Sequence, residues 1–159
     1  MSSNNYAGFW LRFVAYIIDA ILIYAVQALI VLPVLGVLGF GFASNADSIQ
    51  NMSQEEAVGM IATIMAAAGA TALVFNVLII IYFAAMESSK YQATVGKIAL
   101  GLKVTDSNGA KLDFVKALIR NVAKIISGMI LCIGYIMAGF TEKKQALHDI
   151  IASTLVVKK

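Results

Sequence analysis

The sequence predicts an all-α integral membrane protein, a single domain with three hydrophobic segments and a small β-element on the cytoplasmic side. Hydrophobic residues make up 60% of the 159 residues and charged residues 13%, whereas soluble domains average roughly 45–50% and about 25%. The sequence contains several apolar stretches whose length approaches or exceeds the roughly 20 residues of a spanning helix. Of the 12 Lys and Arg residues, only Arg12 precedes Lys90, an asymmetry typical of a cytoplasmic membrane face.

The first hydrophobic segment runs from about residue 7 to 43 and is longer than one span requires. Pro33 cannot donate a helical hydrogen bond, and several glycines follow it. We therefore predict that helix 1 covers residues 8–32 and that residues 33–43 form an interfacial or re-entrant extension. Trp10, near the start, fits the aromatic belt of a membrane interface.

The second hydrophobic segment, residues 58–86, follows a polar, acidic stretch that suits an outside loop. At the end of this loop, Ser53 and Glu56 have the spacing of a capping box, which predicts the start of a helix. Asn76 lies inside the segment, and its amide should find a hydrogen-bonding partner there. Small residues recur every four positions, and this row either lets another helix approach closely or is alanine-rich filler; its members are Ala62, Ala66 and Ala70.

Residues 87–116 form a basic loop that is predicted to be cytoplasmic. Ile98–Thr105 has strand character, and Asp106–Gly109 contains the Asn-Gly pair favoured in tight hairpin turns. These features predict a short hairpin that ends near Leu112. Asp113 is predicted to start the next helix.

The third hydrophobic segment covers residues 114–140, but only its second half is cleanly apolar, which is short for a full span. The tail, residues 141–159, ends in a strand-like run at 153–157. A fully spanning third segment would place the basic tail outside, against the charge rule. We favour a re-entrant or interfacial segment, because this also lets the two strand-like runs, 98–105 and 153–157, pair in one sheet. Cys132 is predicted to be a small buried hydrophobe.

Arg12 and Asp19 are charged residues on the first helix, and they lie on nearly the same face, about 10.5 Å apart along the axis. That separation excludes a direct salt bridge, but the hydroxyl of Tyr16 lies between them and could bridge. An ionised carboxylate at mid-bilayer costs roughly 2.5–3.5 kcal/mol. Asp19 is therefore one of two things: a group that binds a proton or a cation, or half of a buried ion pair. Arg12 lies near the membrane boundary and is explained equally well as an anchor whose charged end reaches the interface.

Motifs of known enzyme classes are lacking, so we predict neither an enzyme nor a cofactor. The sequence has no Gly-x-Ser-x-Gly, no His-Glu-x-x-His and no metal-ligand spacing. Gly96-Lys97 is not a P-loop, because Tyr91 replaces its first glycine. The pair His148-Asp149 has no accompanying nucleophile and is more typical of solvated surface than of a catalytic dyad. No basic stretch is interleaved with exposed aromatics, so nucleic acid is not an expected partner.

Several short motifs, taken in order, resemble the RDD family of small membrane proteins, which is named for one arginine and two aspartates. The arginine is matched within Tyr6–Phe13, and Asp19 follows it in the first helix. The other matching motifs are Thr94-Val95-Gly96-Lys97, Gly101-Leu102-Lys103-Val104 with Gly109, Arg120-Asn121, and Leu147-His148-Asp149 followed by Ser153–Val157. Ala93, between Gln92 and Thr94, departs from the expected pattern. The resemblance covers nearly the whole chain and implies a polar triad of Arg12, Asp19 and Asp149, to which we add Tyr16, Asn76, Thr94, Lys97 and Arg120 as supporting residues.

The resemblance implies a role in transport, and sodium–proton antiport has been ascribed to some members of the family. We therefore expect a small transporter, most concretely a monovalent-cation/proton antiporter in which Asp19 alternates between a proton and Na⁺. Arg12 would lower the pKa of a nearby acid, for which Asp149 is the candidate. Because three short segments cannot enclose a pathway, a homo-oligomer in the lipid bilayer is expected. The alternative is a non-catalytic membrane scaffold or accessory subunit in which Arg12 and Asp149 form a structural latch. The basic inner loops and the lack of targeting features favour a bacterial plasma (inner) membrane.

Overall fold

The computed structural model describes residues 5–130 and 133–159, and the chain divides into two compact units. The basic unit comprises the chain up to Ile21 together with Leu78–Lys159, and all 12 Lys and Arg residues belong to it. The hydrophobic unit, Leu22–Val77, carries no basic residue. Every candidate residue except Asn76 therefore lies in the basic unit.

Two long helices have the length and composition of membrane spans. They are α1 (Phe9–Ser44) and α3 (Gln54–Ser88), and the short helix α2 (Ala46–Gln50) lies between them. At 1.5 Å per residue each long helix extends for about 50 Å, more than the roughly 30 Å of a hydrocarbon core. No part of their most apolar windows is buried by protein, as lipid-facing helices require. The predicted all-α integral membrane fold is confirmed.

The predicted break at Pro33 is wrong. Helix α1 continues through the proline to Ser44, so residues 33–43 belong to the helix and the predicted end at residue 32 comes too early. Proline is tolerated within spanning helices because small local adjustments satisfy the backbone carbonyl that it leaves unpaired. The apolar sequence on both sides of Pro33 favours the helix over an exposed loop backbone in lipid.

Helix α3 begins at the predicted capping box. The Ser53 backbone N donates to Glu56 Oε2 at 2.8 Å, and the Glu56 backbone N donates to Ser53 Oγ at 3.2 Å. Farther along the helix, Asn76 Nδ2 donates to the Ala72 carbonyl at 2.8 Å, so the amide is satisfied within its own helix. The small-residue row is exposed on the chain, and its role in helix association stays a prediction.

A two-stranded antiparallel sheet forms the centre of the basic unit. Its strands are β1 (Leu102–Asp106) and β2 (Thr154–Lys158), with Val104 opposite Val156. The predicted pairing of the two strand-like runs is confirmed. The N-terminal segment joins this sheet, since the Ala7 backbone N donates to the Val156 carbonyl at 2.9 Å. The N-terminal segment, the central loop and the tail are therefore held together within the basic unit.

The stretch before β1 is helical rather than extended. Helix α4 (Val95–Ala99) occupies the beginning of the predicted strand, and Gly101, with φ of +64°, turns the chain from α4 into β1. Glycine adopts this conformation without steric cost. The predicted turn is present, because the Gly109 backbone N donates to the Asp106 carbonyl at 3.1 Å. No strand lies in the described residues between this turn and Leu112, so the predicted hairpin ending near Leu112 is wrong, and β1 pairs with β2 of the tail instead.

Helix α5 (Phe114–Met129) begins as predicted at Asp113, whose Oδ1 accepts from the Lys116 backbone N at 2.7 Å. One face of α5 packs on helix α7 (Leu147–Ile151) and on the sheet. The apolar core of the basic unit lies between these elements and the sheet-proximal ends of the spans; it consists of Ala7, Ala15, Ala84, Leu102, Val104, Leu112, Ala117 and Val156.

The third hydrophobic segment folds back instead of continuing as a straight helix. Helix α6 (Ile133–Ile136) and the 3₁₀ turn Met137–Gly139 are bent by 118° from α5. Gly134 packs closely on α5, because an added Cβ would lie 2.8 Å from the Cβ of Ser127. The strands on either side of the segment pair with each other, so the segment returns to the side from which it starts. Cys132 lies outside the described residues.

Candidate functional site

The guanidinium of Arg12 is held by three acceptors. Nε donates to the Ala7 carbonyl at 2.8 Å and Nη2 donates to the Lys144 carbonyl at 2.5 Å. Nη1 forms an ion pair with Asp149 Oδ2. The side chain is only 12% exposed, so Arg12 ties the N-terminal segment and α1 to the tail.

Asp149, the third residue of α7, is fully buried. Its Oδ1 accepts from Arg120 Nε at 2.9 Å and from Arg120 Nη2 at 2.8 Å, and its Oδ2 accepts from the Ala146 backbone N at 3.1 Å. Burial alone would raise the pKa of Asp149, but the positive charges of Arg120 and Arg12 outweigh burial and hold the pKa well below its ordinary value. Asp149 is therefore a permanent anion.

A second fully buried anion, Glu87, lies near the end of α3. Its Oε1 accepts from Arg120 Nη1 at 2.6 Å and from Lys97 Nζ at 2.5 Å, and its Oε2 accepts from Asn121 Nδ2 at 3.0 Å. Arg120 thereby bridges the two buried anions. We call the resulting series of alternating charges the ionic chain: Arg12, Asp149, Arg120, Glu87 and Lys97.

Two lysines approach the Glu87 end of the ionic chain. Lys97, on α4, is 8% exposed, and burial lowers its pKa although Glu87 acts in the opposite direction. Lys124, on α5, places Nζ 3.7 Å from Glu87 Oε1 and donates to Asn121 Oδ1 at 2.6 Å. The same ammonium lies 4.9 Å from the ring centre of Phe83, within the range of a cation–π contact.

His148 lies beside the ionic chain but is neutral. Burial, assisted by the charge of Arg120, lowers the pKa of His148 to about 2, although Asp149 acts in the opposite direction. The imidazole is 6% exposed, and its Nδ1 lies 3.3 Å from Ser127 Oγ. A neutral imidazole forms no ion pair with Asp149, so the contact of 3.5 Å between His148 Nε2 and Asp149 Oδ1 is packing within the cluster.

Asp19 lies in a separate polar site between α1 and α4. Its Oδ2 accepts from Thr94 Oγ1 at 2.5 Å and its Oδ1 accepts from the Gly96 backbone N at 2.7 Å. A Cβ at position 96 would collide with the Ala15 carbonyl oxygen and lie 3.0 Å from Asp19 Cγ, so only glycine permits this approach. Asp19 is 5% exposed, and its two recorded donors are uncharged.

The structure groups the predicted site residues differently from the sequence. It brings Arg12, Asp149, Arg120 and Lys97 into one cluster, and it places Asp19 with Thr94 in another. Tyr16 does not bridge the two: it is 62% exposed and, within the described residues, its hydroxyl contacts neither charge. In residues 5–130 and 133–159, no three His, Cys, Asp or Glu side chains converge as a metal site requires.

Sequence reasoning missed Glu87, Asn121 and Lys124 as parts of the site. The sequence places Glu87 at the start of the basic loop, yet Glu87 belongs to the last turn of a long apolar helix and is fully buried. A usable pattern was present, since Arg120 and Lys124 are four residues apart and thus share one face of α5. Two cations on one face of a hydrophobic segment require a counter-ion, and Glu87 is the acid at the end of the preceding span.

Comparisons with known proteins identify the family of this chain. The sequence pattern of the RDD family matches residues 6–153. The chain is 39% identical to the uncharacterized protein YxaI of Bacillus subtilis (strain 168) over 154 residues, which cover 96% of this chain and 97% of the relative. It is 33% identical to the uncharacterized membrane protein YteJ of the same organism over 156 residues, which cover 98% of this chain and 82% of the relative. No solved structure gives a significant match.

Proposed function

The chain belongs to the RDD family of membrane proteins, and from this premise we propose that it is a small transporter that exchanges a monovalent cation for a proton at Asp19. The proposal includes no enzymatic step and no cofactor. It places the protein in the plasma membrane of a bacterium, with the basic unit in the cytoplasm.

The supporting observation is the contrast between Asp19 and the other buried acids. Glu87 and Asp149 each contact at least two basic side chains. Asp19 is also buried, but among the described residues it has no Lys, Arg or His within ion-pair distance. A buried carboxylate without a permanent counter-charge is stabilised when it binds either a proton or a cation.

The donors of Asp19 suit such an exchange. The Gly96 backbone N can only donate, whereas the Thr94 hydroxyl can donate to a carboxylate or turn and accept from a protonated one. Thr94 Oγ1 and the carboxylate oxygens are also the ligand type that hard cations prefer. The hydrogen bond of Thr94 therefore changes when Asp19 exchanges a proton for a cation. Because Thr94 precedes α4, this change reaches α4.

The proposed transporter is a homo-oligomer, because two long helices and one folded-back segment enclose no pathway by themselves. The exposed small-residue row of α3 supplies a surface on which helices of neighbouring copies could pack closely in lipid. This assembly is part of the proposal, and the lipid bilayer is the remaining partner.

The test is cation-driven proton movement in proteoliposomes containing the purified protein. A pH gradient is imposed and followed with a fluorescent probe while Na⁺, K⁺ or Li⁺ is added. We expect dissipation in the wild type and in the matched control Asp47→Asn, which neutralises an exposed acid of α2. We expect none in Asp19→Asn, which keeps size and hydrogen bonding but cannot cycle a proton. Normal exchange by Asp19→Asn would overturn the role of Asp19.

The second candidate is a non-catalytic scaffold or accessory subunit, and the ionic chain favours it. Its members come from α1, α3, α4, α5 and α7, so it joins five helices. In this alternative Arg12→Ala should lower the free energy of unfolding by about 3–5 kcal/mol, because Asp149 keeps a buried charge that has lost a partner. Lys111→Ala, at an exposed position, is the control. Thermal unfolding in detergent measures both variants, and folded wild type without exchange activity would select the scaffold.

A further inference from the structure

We propose that Lys97 and Lys124 form a binding site for a phosphate-type anion beside the ionic chain. The anion is either the headgroup of an anionic phospholipid or a soluble phosphate. This site is distinct from Asp19, and the proposal does not depend on cation exchange.

The first argument is that the formal charges of the cluster do not balance. His148, whose pKa burial lowers to about 2, adds no positive charge at physiological pH. The surplus lies at the Glu87 end, where both lysines approach one carboxylate oxygen. An unpaired buried charge costs several kcal/mol, so a counter-anion would stabilise the cluster. The cations are Arg12, Lys97 and Arg120, and Lys124 in its protonated form; burial lowers the pKa of Lys124 to about 7 although Glu87 acts in the opposite direction. The anions are Glu87 and Asp149.

The second argument is that both ammonium groups have donors to spare. An ammonium can donate three hydrogen bonds. Among the described residues, Lys97 Nζ donates only to Glu87 Oε1, and Lys124 Nζ donates only to Asn121 Oδ1. Both nitrogens lie within 3.7 Å of Glu87 Oε1, close enough to each other for the oxygens of one phosphate to contact both. Charge-assisted bonds of this kind are among the stronger hydrogen bonds in proteins.

The third argument is location. The side chains of Lys97 and Lys124 are 10% and 23% exposed, so an anion can reach them while most of the cluster stays covered. Lys124 also lies over Phe83 of the spanning helix α3, which places it at the border of an apolar surface. A lipid could set its phosphate on the lysines and its acyl chains along the apolar side of α3 that carries Phe83.

Binding is measured on the purified full-length protein in two arms. Native mass spectrometry compares retention of phosphatidylglycerol with retention of phosphatidylcholine, and thermal unfolding in phosphatidylcholine nanodiscs compares inorganic phosphate with chloride at equal ionic strength. Each arm uses the wild type, Lys97→Gln, Lys124→Gln and Lys124→Arg. The matched control is Lys116→Gln, which removes one charge from the same helix at a side chain without a recorded hydrogen bond.

We expect one phosphatidylglycerol per chain to be retained by the wild type, by Lys124→Arg and by Lys116→Gln. Affinity should fall at least about tenfold in Lys97→Gln and Lys124→Gln, as loss of one charge-assisted contact predicts. If inorganic phosphate instead raises the unfolding temperature in a Lys124-dependent way, the site stands and its ligand is soluble. Equal retention of both lipids by the wild type, together with no phosphate effect, would overturn the proposal and indicate that a lysine of the cluster is neutral. The wild-type comparison needs no variant to fold.

Discussion

Asp149 is stabilised by donors that no single element could provide. Arg12 comes from α1, Arg120 comes from α5, and the Ala146 backbone N precedes α7. A buried anion with several donors remains ionised, whereas the loss of one cationic partner leaves part of its desolvation cost uncompensated. The residues of the ionic chain therefore act as a unit, and measured effects of single substitutions within it will not be additive.

His148 makes the stability of the folded protein depend on pH. Its pKa is lowered from 6.5 to about 2 by burial, so the unfolded chain takes up a proton first as the pH falls. Stability should therefore be highest above pH 6.5 and should fall by about 1.4 kcal/mol per pH unit below it. Chemical unfolding in detergent between pH 7.5 and 5 measures this slope.

The control for this prediction is His148→Asn. His148 is the single histidine of the chain, so the variant should lose the slope between pH 6.5 and 5 even if its overall stability is lower. Asp149 contributes nothing in this range, because its pKa is lowered and its stabilising effect is lost only below the ordinary value of an aspartate. A slope that persists in His148→Asn would show that another group titrates on unfolding.

Sequence patterns predicted some of these contacts and missed others for a physical reason. Arg12 and Asp19 are predicted because charged groups near or within apolar helices are costly. Asp149 is predicted only by the family resemblance, and the expectation that His148-Asp149 lies on solvated surface is wrong, since both residues are buried. The sequence predicts a contact between Arg12 and Asp149, and these two side chains form an ion pair. Glu87 was missed because its position at the end of a span is equally typical of a solvated boundary residue, and only the fold of α4 and α5 over it makes it buried.

At the scale of elements, the contact between α4 and α1 depends on Gly96. We expect Gly96→Ala to lower the free energy of unfolding by about 1–3 kcal/mol, because the added methyl group would overlap the Ala15 carbonyl and force the elements apart. The same shift would lengthen the hydrogen bond from the Gly96 backbone N to Asp19, so the proposed exchange activity should fall as well.

Gly59→Ala is the matched control, since nothing lies within 4 Å of a Cβ added at that position of α3. Alanine is favoured over glycine inside a helix by roughly 0.5–1 kcal/mol, so this variant should be neutral or stabilising. Thermal unfolding of both variants in one detergent gives the comparison. An unchanged unfolding temperature in Gly96→Ala would mean that α4 is not held against α1 as described.

Elements were predictable where local pattern and long-range packing agree. The capping box at Ser53 and the helix start at Asp113 are local features, and both are present. The run before β1 was predicted to be extended, but Gly101 permits a helix followed by a sharp turn, and Asp19 accepts a hydrogen bond at the start of that helix. The predicted break at Pro33 is wrong because unpaired backbone groups cost more free energy in lipid than a proline within a helix does.

For the whole molecule, pairing of β1 with β2 constrains the membrane topology. These strands precede and follow the third hydrophobic segment, and Ala7 bonds the second of them. The N-terminal segment from Tyr6, the central loop and the tail must then lie on one side of the bilayer. The charge rule predicts that this side is the cytoplasm, because all the basic residues are in the basic unit.

Topology can be measured by cysteine labelling in intact bacterial cells. In a Cys132→Ser background, which removes the single cysteine, three exposed positions are replaced one at a time: Asn51→Cys, Lys111→Cys and Lys159→Cys. A membrane-impermeant maleimide should label Asn51→Cys in whole cells, and the other two only after the membrane is opened. A fully spanning third segment would instead make Lys159→Cys react together with Asn51→Cys. That result would require β1 and β2 to separate across the bilayer, and it would exclude the described sheet. Lys111→Cys distinguishes two other topologies. In an inverted protein Lys111→Cys reacts in whole cells and Asn51→Cys does not, whereas in a protein whose third segment spans the bilayer Lys111→Cys stays unlabelled until the membrane is opened.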